Sequence, residues 1–538
     1  MALRHDVIVV GSGSSGAMAA QTLAEAGVDI GMLDVGFCDS SYGDAIPDWD
    51  FLFLRRHDPQ QHRYFLGERF EGISWDRIRT GPQLTPPRRF VTEGTAQWIP
   101  LVSDTFHPME SLAYGGLGSA WGLGSFVFSD AELQEAGLNP ALMAQDYQTI
   151  AERIGISGLS DDAGEYTVGA LKNILPPVRM GRSFEKLFSA YAGRSTLLAH
   201  AGVFMGRTPL ALLSVDYHGR RGTQYHDMDF WTNAGGSGYR PNITIDWLRR
   251  KQNFTYHGNC LVVKFSERPD GIAITVRRVD ANQEQLFFCR KLVLAAGTLG
   301  TGRVVLRSLG RGTERLPLLC NNYSYHACIQ PRMIGCKLDE RITSLSPLTL
   351  IYDRNKKNQD AAVATLYGYR SLLLFRLAGE LPFGFADGIN LLSRLYPALV
   401  IAGMHHPERS SHEKYVQLVR HDQSPTGDAL HAAYSRSDQE TADDFYREQK
   451  IKKALRMLGC FPIRRVHPGF GGSIHYAGTL PFSEKEKPFC LAPDGRAHGT
   501  KNIYVADGSG FRYLPAKGPT LTLMAHAHRV ARAVLTNM

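Results

Sequence analysis

The eight cysteines of this 538-residue sequence (Cys38, Cys260, Cys289, Cys320, Cys328, Cys336, Cys460 and Cys490) never form a C-x-x-C pair. That dispersal excludes a zinc ribbon and a disulfide-stapled secreted scaffold; buried free thiols in a reducing compartment, and no metal site, are expected. Long apolar runs are missing as well. The best candidate, around 388–404, is broken by Arg394 and Pro397, well short of the ~20 uninterrupted residues that a spanning helix needs. Between Met1 and the apolar run Val7–Val10 there is no room for a cleavable leader, so a cytoplasmic protein is expected. The 60 Lys and Arg against 52 Asp and Glu leave a net charge of +8, but no polybasic tail or RNP-like pattern gathers it; it is spread in pairs such as Arg55-Arg56, Arg88-Arg89 and Arg249-Arg250. A solvated basic surface follows, and nucleic acid is not an expected partner. Internal repeats and low-complexity tracts are also lacking.

What is present is ordinary globular chemistry, with 43% hydrophobic and 21% charged residues. At roughly 100–200 residues per domain the length predicts two or more units, which a large enzyme builds from interleaved segments. The first 36 residues are the most informative. Val7–Val10 is a short, continuously apolar, β-branched run, the mark of a strand buried on both faces of a parallel sheet. Gly11-Ser12-Gly13-Ser14-Ser15-Gly16 follows, then the helix former Ala17–Ala26, the capping Gly27, a second strand Asp29–Leu33 and Asp34, 18 residues beyond Gly16. This order suits a dinucleotide: the glycines permit a tight turn and close backbone approach, the helix N-terminus faces a pyrophosphate, and the carboxylate accepts from ribose hydroxyls. NAD and FAD both use this fingerprint.

The C-terminal segment adds a second half-site. Asn502–Val505 reads as a buried strand entering the turn Ala506-Asp507-Gly508-Ser509-Gly510, and Pro519–Leu535 as a closing helix with Pro519 at its start. Leu521, Met524, Ala525, Ala531 and Val534 recur at helical spacing and mark its buried face. A strand, an Asp and a helix N-terminus so far from the first βαβ unit predict one extended ligand held by both chain ends.

Several separated motifs, in order, resemble the glucose-methanol-choline (GMC) flavoprotein oxidoreductases. The N-terminal fingerprint ending in Leu33-Asp34-Val35-Gly36 resembles their FAD-binding start. Gly115-Gly116-Leu117-Gly118-Ser119-Ala120-Trp121-Gly122 resembles the segment along the flavin, most of all that of pyranose oxidases. Leu292–Ala296 with Gly297-Thr298-Leu299-Gly300-Thr301 resembles the second Gly-rich signature, and Gly258–Phe265 the strand at the adenine, with Val262 aligned there. His475-Tyr476-Ala477-Gly478-Thr479 and Val505-Ala506-Asp507-Gly508-Ser509 resemble the catalytic and flavin-binding segments. Residues 39–94 and 320–400 match nothing in the pattern.

The resemblance implies an α/β fold: a Rossmann-like FAD-binding domain from 1–38, 95–130, 196–312 and 466–538, a discontinuous α+β substrate-binding domain from 131–195 and 313–465, and segment 39–94 as a lid, substrate loop or subunit contact. A helix from Asp438 to Leu458, capped by Ser437 or Asp438 and stopped by Gly459, leads toward the catalytic segment. The cofactor residues implied are Gly11, Gly13, Ser14, Ser15, Gly16, Asp34, Gly115, Gly116, Ser119, Ala120, Trp121, Val262, Ala296, Gly297, Asp507, Gly508, Pro519 and Thr520. Some pyranose oxidases attach FAD through a histidine before the tryptophan; Ala120 stands there, so noncovalent FAD is implied.

The reaction implied is alcohol oxidation, CH–OH to C=O, with His475 as the base and hydride passing to flavin N5; a neutral imidazole suits that proton transfer. Free N–H groups at Thr520 and Leu521 offer stabilisation to charge near flavin N1 and O2. Many members carry Asn or His before the proline of the closing helix; here it is Gly518, with Lys517 beside it as either a solvent-facing loop lysine or a group near flavin or substrate. His526 and His528 are read as structural. The pyranose-oxidase likeness favours a sugar, glycoside or sugar-bearing substrate, with O2 or another acceptor taking the electrons. Two other classes stay open: a lyase on the same scaffold, cleaving cyanohydrins without net redox change, and a flavin-binding protein without redox turnover. The oligomeric state is not legible.

Overall fold

The computed structural model describes residues 3–39, 42, 45–70, 86–226, 233–310, 312–368 and 380–538. In chain order its first half contributes β1 (Leu3–Val10), α1 (Ser14–Glu25), β2 (Ile30–Leu33), α2 (Asp130–Ala136), α3 (Pro140–Ile154), β3 (Val203–Arg207), β4 (Phe254–His257), β5 (Cys260–Arg268), β6 (Gly271–Arg278) and β7 (Glu284–Leu294). The second half contributes α4 (Thr298–Leu309), β8 (Tyr323–Ile329), β9 (Leu348–Tyr352), β10 (Ala362–Gly368), β11 (Leu399–His405), α5 (Asp438–Met457), β12 (Phe461–Val466), β13 (Ile503–Val505) and α6 (Thr520–Thr536).

Two sheets organise these elements. The first runs β4-β2-β1-β7-β6-β5, parallel from β4 to β7 and antiparallel beyond. The long β7 changes partner along its length: its start pairs antiparallel with β6, and its end, Leu292–Leu294, pairs in parallel with β13. β1 lies between β2 and β7, so Val7 to Val10 are buried on both faces, at about 1.5–3 kcal/mol of apolar burial apiece. α6 packs against α1 and α3, joining both chain ends in one core.

The second sheet, β12-β8-β11-β10-β9-β3, is antiparallel throughout. Its period of two divides each strand between two tasks. On β8, Ser324, His326 and Cys328 are buried toward α5, while Tyr323 and Tyr325 look the other way. On β10 and β11, Ala364, Leu366, Ala402 and Met404 fill a core with Ile451 and Leu455 of α5; Thr365, Tyr367, Ile401 and His405 face the cavity described below.

Most expected elements are found, with local shifts. α1 begins at Ser14, three residues before the alanine run, because the turn glycines feed straight into its first turn. Gly27 follows it at φ +83, and α5 carries the Ser437 cap as a box with Glu440, with Gly459 at φ +78 beyond its end. The stretch 258–265 opens with Gly258 between two strands, and β5 starts only at Cys260. Within the segment 196–312, β3 pairs with β9 in the second sheet, while β4 to β7 belong to the first. Within 39–94, the described part forms its own small core of Ile46, Leu54, Tyr64, Phe65 and Leu66.

Candidate active site

A single cavity of about 490 Å³ runs from the C-terminal ends of β1 and β2 to the face of the second sheet. At one end Gly11 turns with φ +96, and a Cβ there would lie 2.6 Å from the Ala295 carbonyl oxygen. A Cβ on Gly16 would fall 1.9 Å from the Gly11 oxygen, so the turn closes only with glycine at both positions. Gly13 differs, since its nearest protein neighbour to an added Cβ is 4.0 Å away. Its surroundings belong to the cavity. No side chain caps α1, leaving the first N–H groups and the positive helix end for an anion.

Asp34 ends β2 beside this turn. Its Oδ2 accepts from Ser12 Oγ (2.5 Å) and Tyr256 Oη (2.9 Å), and burial pushes its pKa up to about 6. Oδ1 takes no side-chain hydrogen bond among the described residues. Ser12 Oγ also accepts from the Gly115 N–H (2.8 Å), tying the two Gly-rich segments together. Ser14, Ser15, Gly116, Ala120, Trp121, Val262, Ala296, Gly297, Gly508, Pro519 and Thr520 all line the cavity. Gly115 and Ser119 support its wall: at Gly115 φ is +86, and Ser119 Oγ donates to the Tyr114 carbonyl at 2.6 Å. Asp507 also reaches the cavity, but its carboxylate is engaged by Thr301 Oγ1 (2.5 Å) and by the N–H and hydroxyl of Ser509 (3.0 and 2.6 Å). It clamps the end of β13 to α4. The long cavity, free helix terminus, ribose-type acceptor and glycine-cleared approach fit a dinucleotide such as FAD.

His475 stands at the other end. The residue before it, Ile474, has φ +63, a costly conformation for a β-branched side chain and one that clusters at functional sites. His475 Nδ1 lies 3.1 Å from Asn321 Oδ1. The Asn321 amide nitrogen donates to the carbonyls of His406, Leu514 and Pro515, so Oδ1 is left to accept and the imidazole proton sits on Nδ1. Nε2, with no partner among the described residues, is then a lone pair. Burial holds this imidazole at about 4, well below its ordinary 6.5, so it is neutral at pH 7.

Against it lies His405, ring centroids 4.9 Å apart and planes 20° from parallel. Tyr323 packs on His405 at 4.4 Å. Glycine at position 403 makes room, since a Cβ there would lie 2.8 Å from Tyr323 Oη. Tyr325, Thr365 and Tyr367 complete an aromatic and hydroxylic wall.

The GMC oxidoreductase family model matches residues 430–527, spanning His475, Asp507 and the first turns of α6. Over that C-terminal stretch the chain matches the GMC oxidoreductases. Paromamine 6'-oxidase of Streptomyces fradiae is 24% identical, with 98% of this chain and 91% of that protein covered. The 6'''-hydroxyparomomycin C oxidase of Streptomyces lividus is also 24% identical, over 99% and 92%. Among solved structures, pyridoxine 4-oxidase from Mesorbium loti superposes with a TM-score of 0.55 at 16% identity over 99% of each chain, a likeness of fold.

GMC oxidoreductases are in general flavin-dependent. In this chain, the geometry parts Lys517 from the His475 end: Lys517 does not line the cavity, and its Nζ is bound to Glu132 Oε2 (2.7 Å) and Asn358 Oδ1 (2.8 Å). Gly518 does line it, but adds no side chain; an added Cβ would meet Phe126 at 3.4 Å. His526 is buried against Phe482 and Phe511, and His528 bonds Thr22. Sequence reasoning missed Asn321 and His405. Neither stands in a motif, and the only signal was alternation along apolar strands, which says which face a residue takes but not what it meets.

Proposed function

We propose that this protein is a GMC oxidoreductase that oxidises an alcohol group, CH–OH to C=O, on a sugar, glycoside or sugar-bearing small molecule, using noncovalently held FAD. The observation that carries the reading is the continuity of the cavity: the dinucleotide cradle at Gly11–Gly16 and the unpartnered Nε2 of His475 open into the same space. The names of two relatives, both oxidases of aminoglycoside type by name, support a sugar-like substrate. Ala120 offers no nucleophile to a flavin, which supports noncovalent attachment. Bound FAD supplies a two-electron acceptor, itself reoxidised by O2 or another acceptor.

The remaining work belongs to the chain. α1 and Asp34 hold the pyrophosphate and ribose. Tyr323, Tyr325 and Tyr367 give a sugar ring flat surfaces to stack on. His475 Nε2 takes the hydroxyl proton while Asn321 fixes the tautomer. The N-terminus of α6 carries no side-chain cap, so its N–H groups stabilise negative charge that develops beside it.

The test is the visible absorption spectrum of the purified protein before and after acid precipitation, then an anaerobic screen of methyl glucopyranosides, paromamine and simple alcohols. Flavin bands that pass to the supernatant and bleach with one of these alcohols are expected. Colour in the pellet would mean a covalent link, bound flavin that cleaves cyanohydrins without bleaching would mean a lyase, and a colourless protein that cannot take up FAD would sink the proposal.

A further inference from the structure

We propose that His405 is a second catalytic imidazole of this site, donating an N–H hydrogen bond to the reacting hydroxyl oxygen while His475 Nε2 takes that hydroxyl's proton. The inference rests on the alcohol-oxidation reading and adds to it a residue from the opposite sheet.

Position comes first. His405 ends β11, where it is the cross-strand partner of both Tyr323 on β8 and Val363 on β10. Alternation sends Met404 into the core and His405 into the cavity. Its ring lies nearly parallel to that of His475, so the two sets of ring nitrogens border the same volume.

The second argument is hydrogen bonding. Three other imidazoles of this region bond polar side chains: His475 with Asn321, His467 with Asn322, and His326 with Ser324 beside Glu448. His405 has no hydrogen-bond partner for either ring nitrogen among the described residues. Because His405 lines the cavity, its ring nitrogens are left for a hydroxyl that enters there. Burial, with His475 and His406 close by, keeps His405 neutral, and a neutral imidazole always carries one N–H.

The third is the bare opposite side. Gly518 brings no donor toward the oxygen, and Lys517 is engaged by Glu132. His405 fills the role from the second sheet. In the step, the hydroxyl O–H bond breaks, the proton bonds to His475 Nε2, the electron pair stays on oxygen, and the His405 N–H···O bond strengthens as that charge grows. The neutral ring of His405 against the new imidazolium adds a cation–π attraction.

The experiment uses the FAD-loaded enzyme, with methyl α-D-glucopyranoside as the probe for anaerobic flavin reduction and diethyl pyrocarbonate for mapping free imidazoles by mass spectrometry. His405→Phe keeps an aromatic ring and loses the nitrogens; His405→Asn keeps a donor. The limiting reduction rate should fall about 10²-fold in His405→Phe, as for loss of one oxyanion donor, and recover to within about tenfold of wild type in His405→Asn. His405 should be carbethoxylated at neutral pH, as exposed His412 is, and protected by the glycoside. A His405→Phe enzyme that reduces at the wild-type rate overturns the role of His405 alone. A wild type that the probe neither bleaches nor protects counts instead against the sugar-oxidation reading. Should His405→Phe fail to fold, the mapping still decides: an unreactive His405 beside a reactive His412 overturns the proposal.

Discussion

Lys517 Nζ sits 2.7 Å from Glu132 Oε2, and both side chains are sealed from water at 1% exposure. Glu132 also closes the capping box of α2 with Ser129, so the pair pins the loop before α6 to that helix. Burial pulls the lysine pKa down and the glutamate pKa up, while their mutual attraction opposes both. Lys517→Met should therefore lose about 3–5 kcal/mol of stability, the cost of a stranded buried charge, and Lys517→Met/Glu132→Gln should recover most of it. Urea denaturation measures both. A Lys517→Met enzyme of normal stability but many-fold slower flavin reduction would move Lys517 back into the chemistry.

The pH profile follows from His475. With its pKa depressed to about 4, the base stays unprotonated through pH 5, so the limiting rate of flavin reduction should hold from pH 8 to near 5 and fall as pH approaches 4. Stability has the same sign: a depressed folded pKa contributes stability present above 6.5 and lost as pH falls toward 4. A rate that halves between pH 6 and 7 would contradict the burial of this imidazole.

Two glycines of one turn should part company. Gly16→Ala drives a methyl into the Gly11 carbonyl and should destabilise the apoprotein itself. Gly13→Ala meets no protein atom closer than 4.0 Å, so the apoprotein should melt as wild type while FAD affinity falls tenfold or more, about 1.4 kcal/mol. Normal FAD binding by Gly13→Ala would mean that no pyrophosphate passes there.

Asp34 sets ligand against fold. Its raised pKa, about 6, means a contribution to apoprotein stability present below 3.8 and lost as pH rises through 6. Asp34→Asn should raise the apoprotein Tm at pH 8, with the gain vanishing near pH 4, yet weaken FAD binding by about ten- to hundredfold through loss of a charge-assisted acceptor. Titration of apoprotein with FAD at pH 8 reads the second effect, and unchanged affinity would remove Asp34 from the ribose.

The first βαβ unit was legible because its signals are local: an apolar run, three glycines, an alanine-rich helix and an acid within one short stretch. The same holds for α5, where Ser437 and Glu440 make their cap within one turn. The substrate wall was not legible. Tyr323 and His405 become neighbours only through strand register, and nothing near either residue announces the other. The pairing of Lys517 was not legible for the same reason, its partner Glu132 being 385 residues away. β3 joined the second sheet through pairing with β9, a choice its own five residues do not reveal.

The pairing of β13 with the far end of β7 has a consequence for synthesis. α1 and the sheet are covered by α6, and both β13 and α6 are made more than 200 residues after β7. At about 5–20 residues per second, the nascent Rossmann unit waits about 10–50 s, with the apolar faces of β7 and α1 uncovered. The emerging chain is therefore a natural client for chaperones throughout that interval, and FAD captured early by the half-built cradle would shield it.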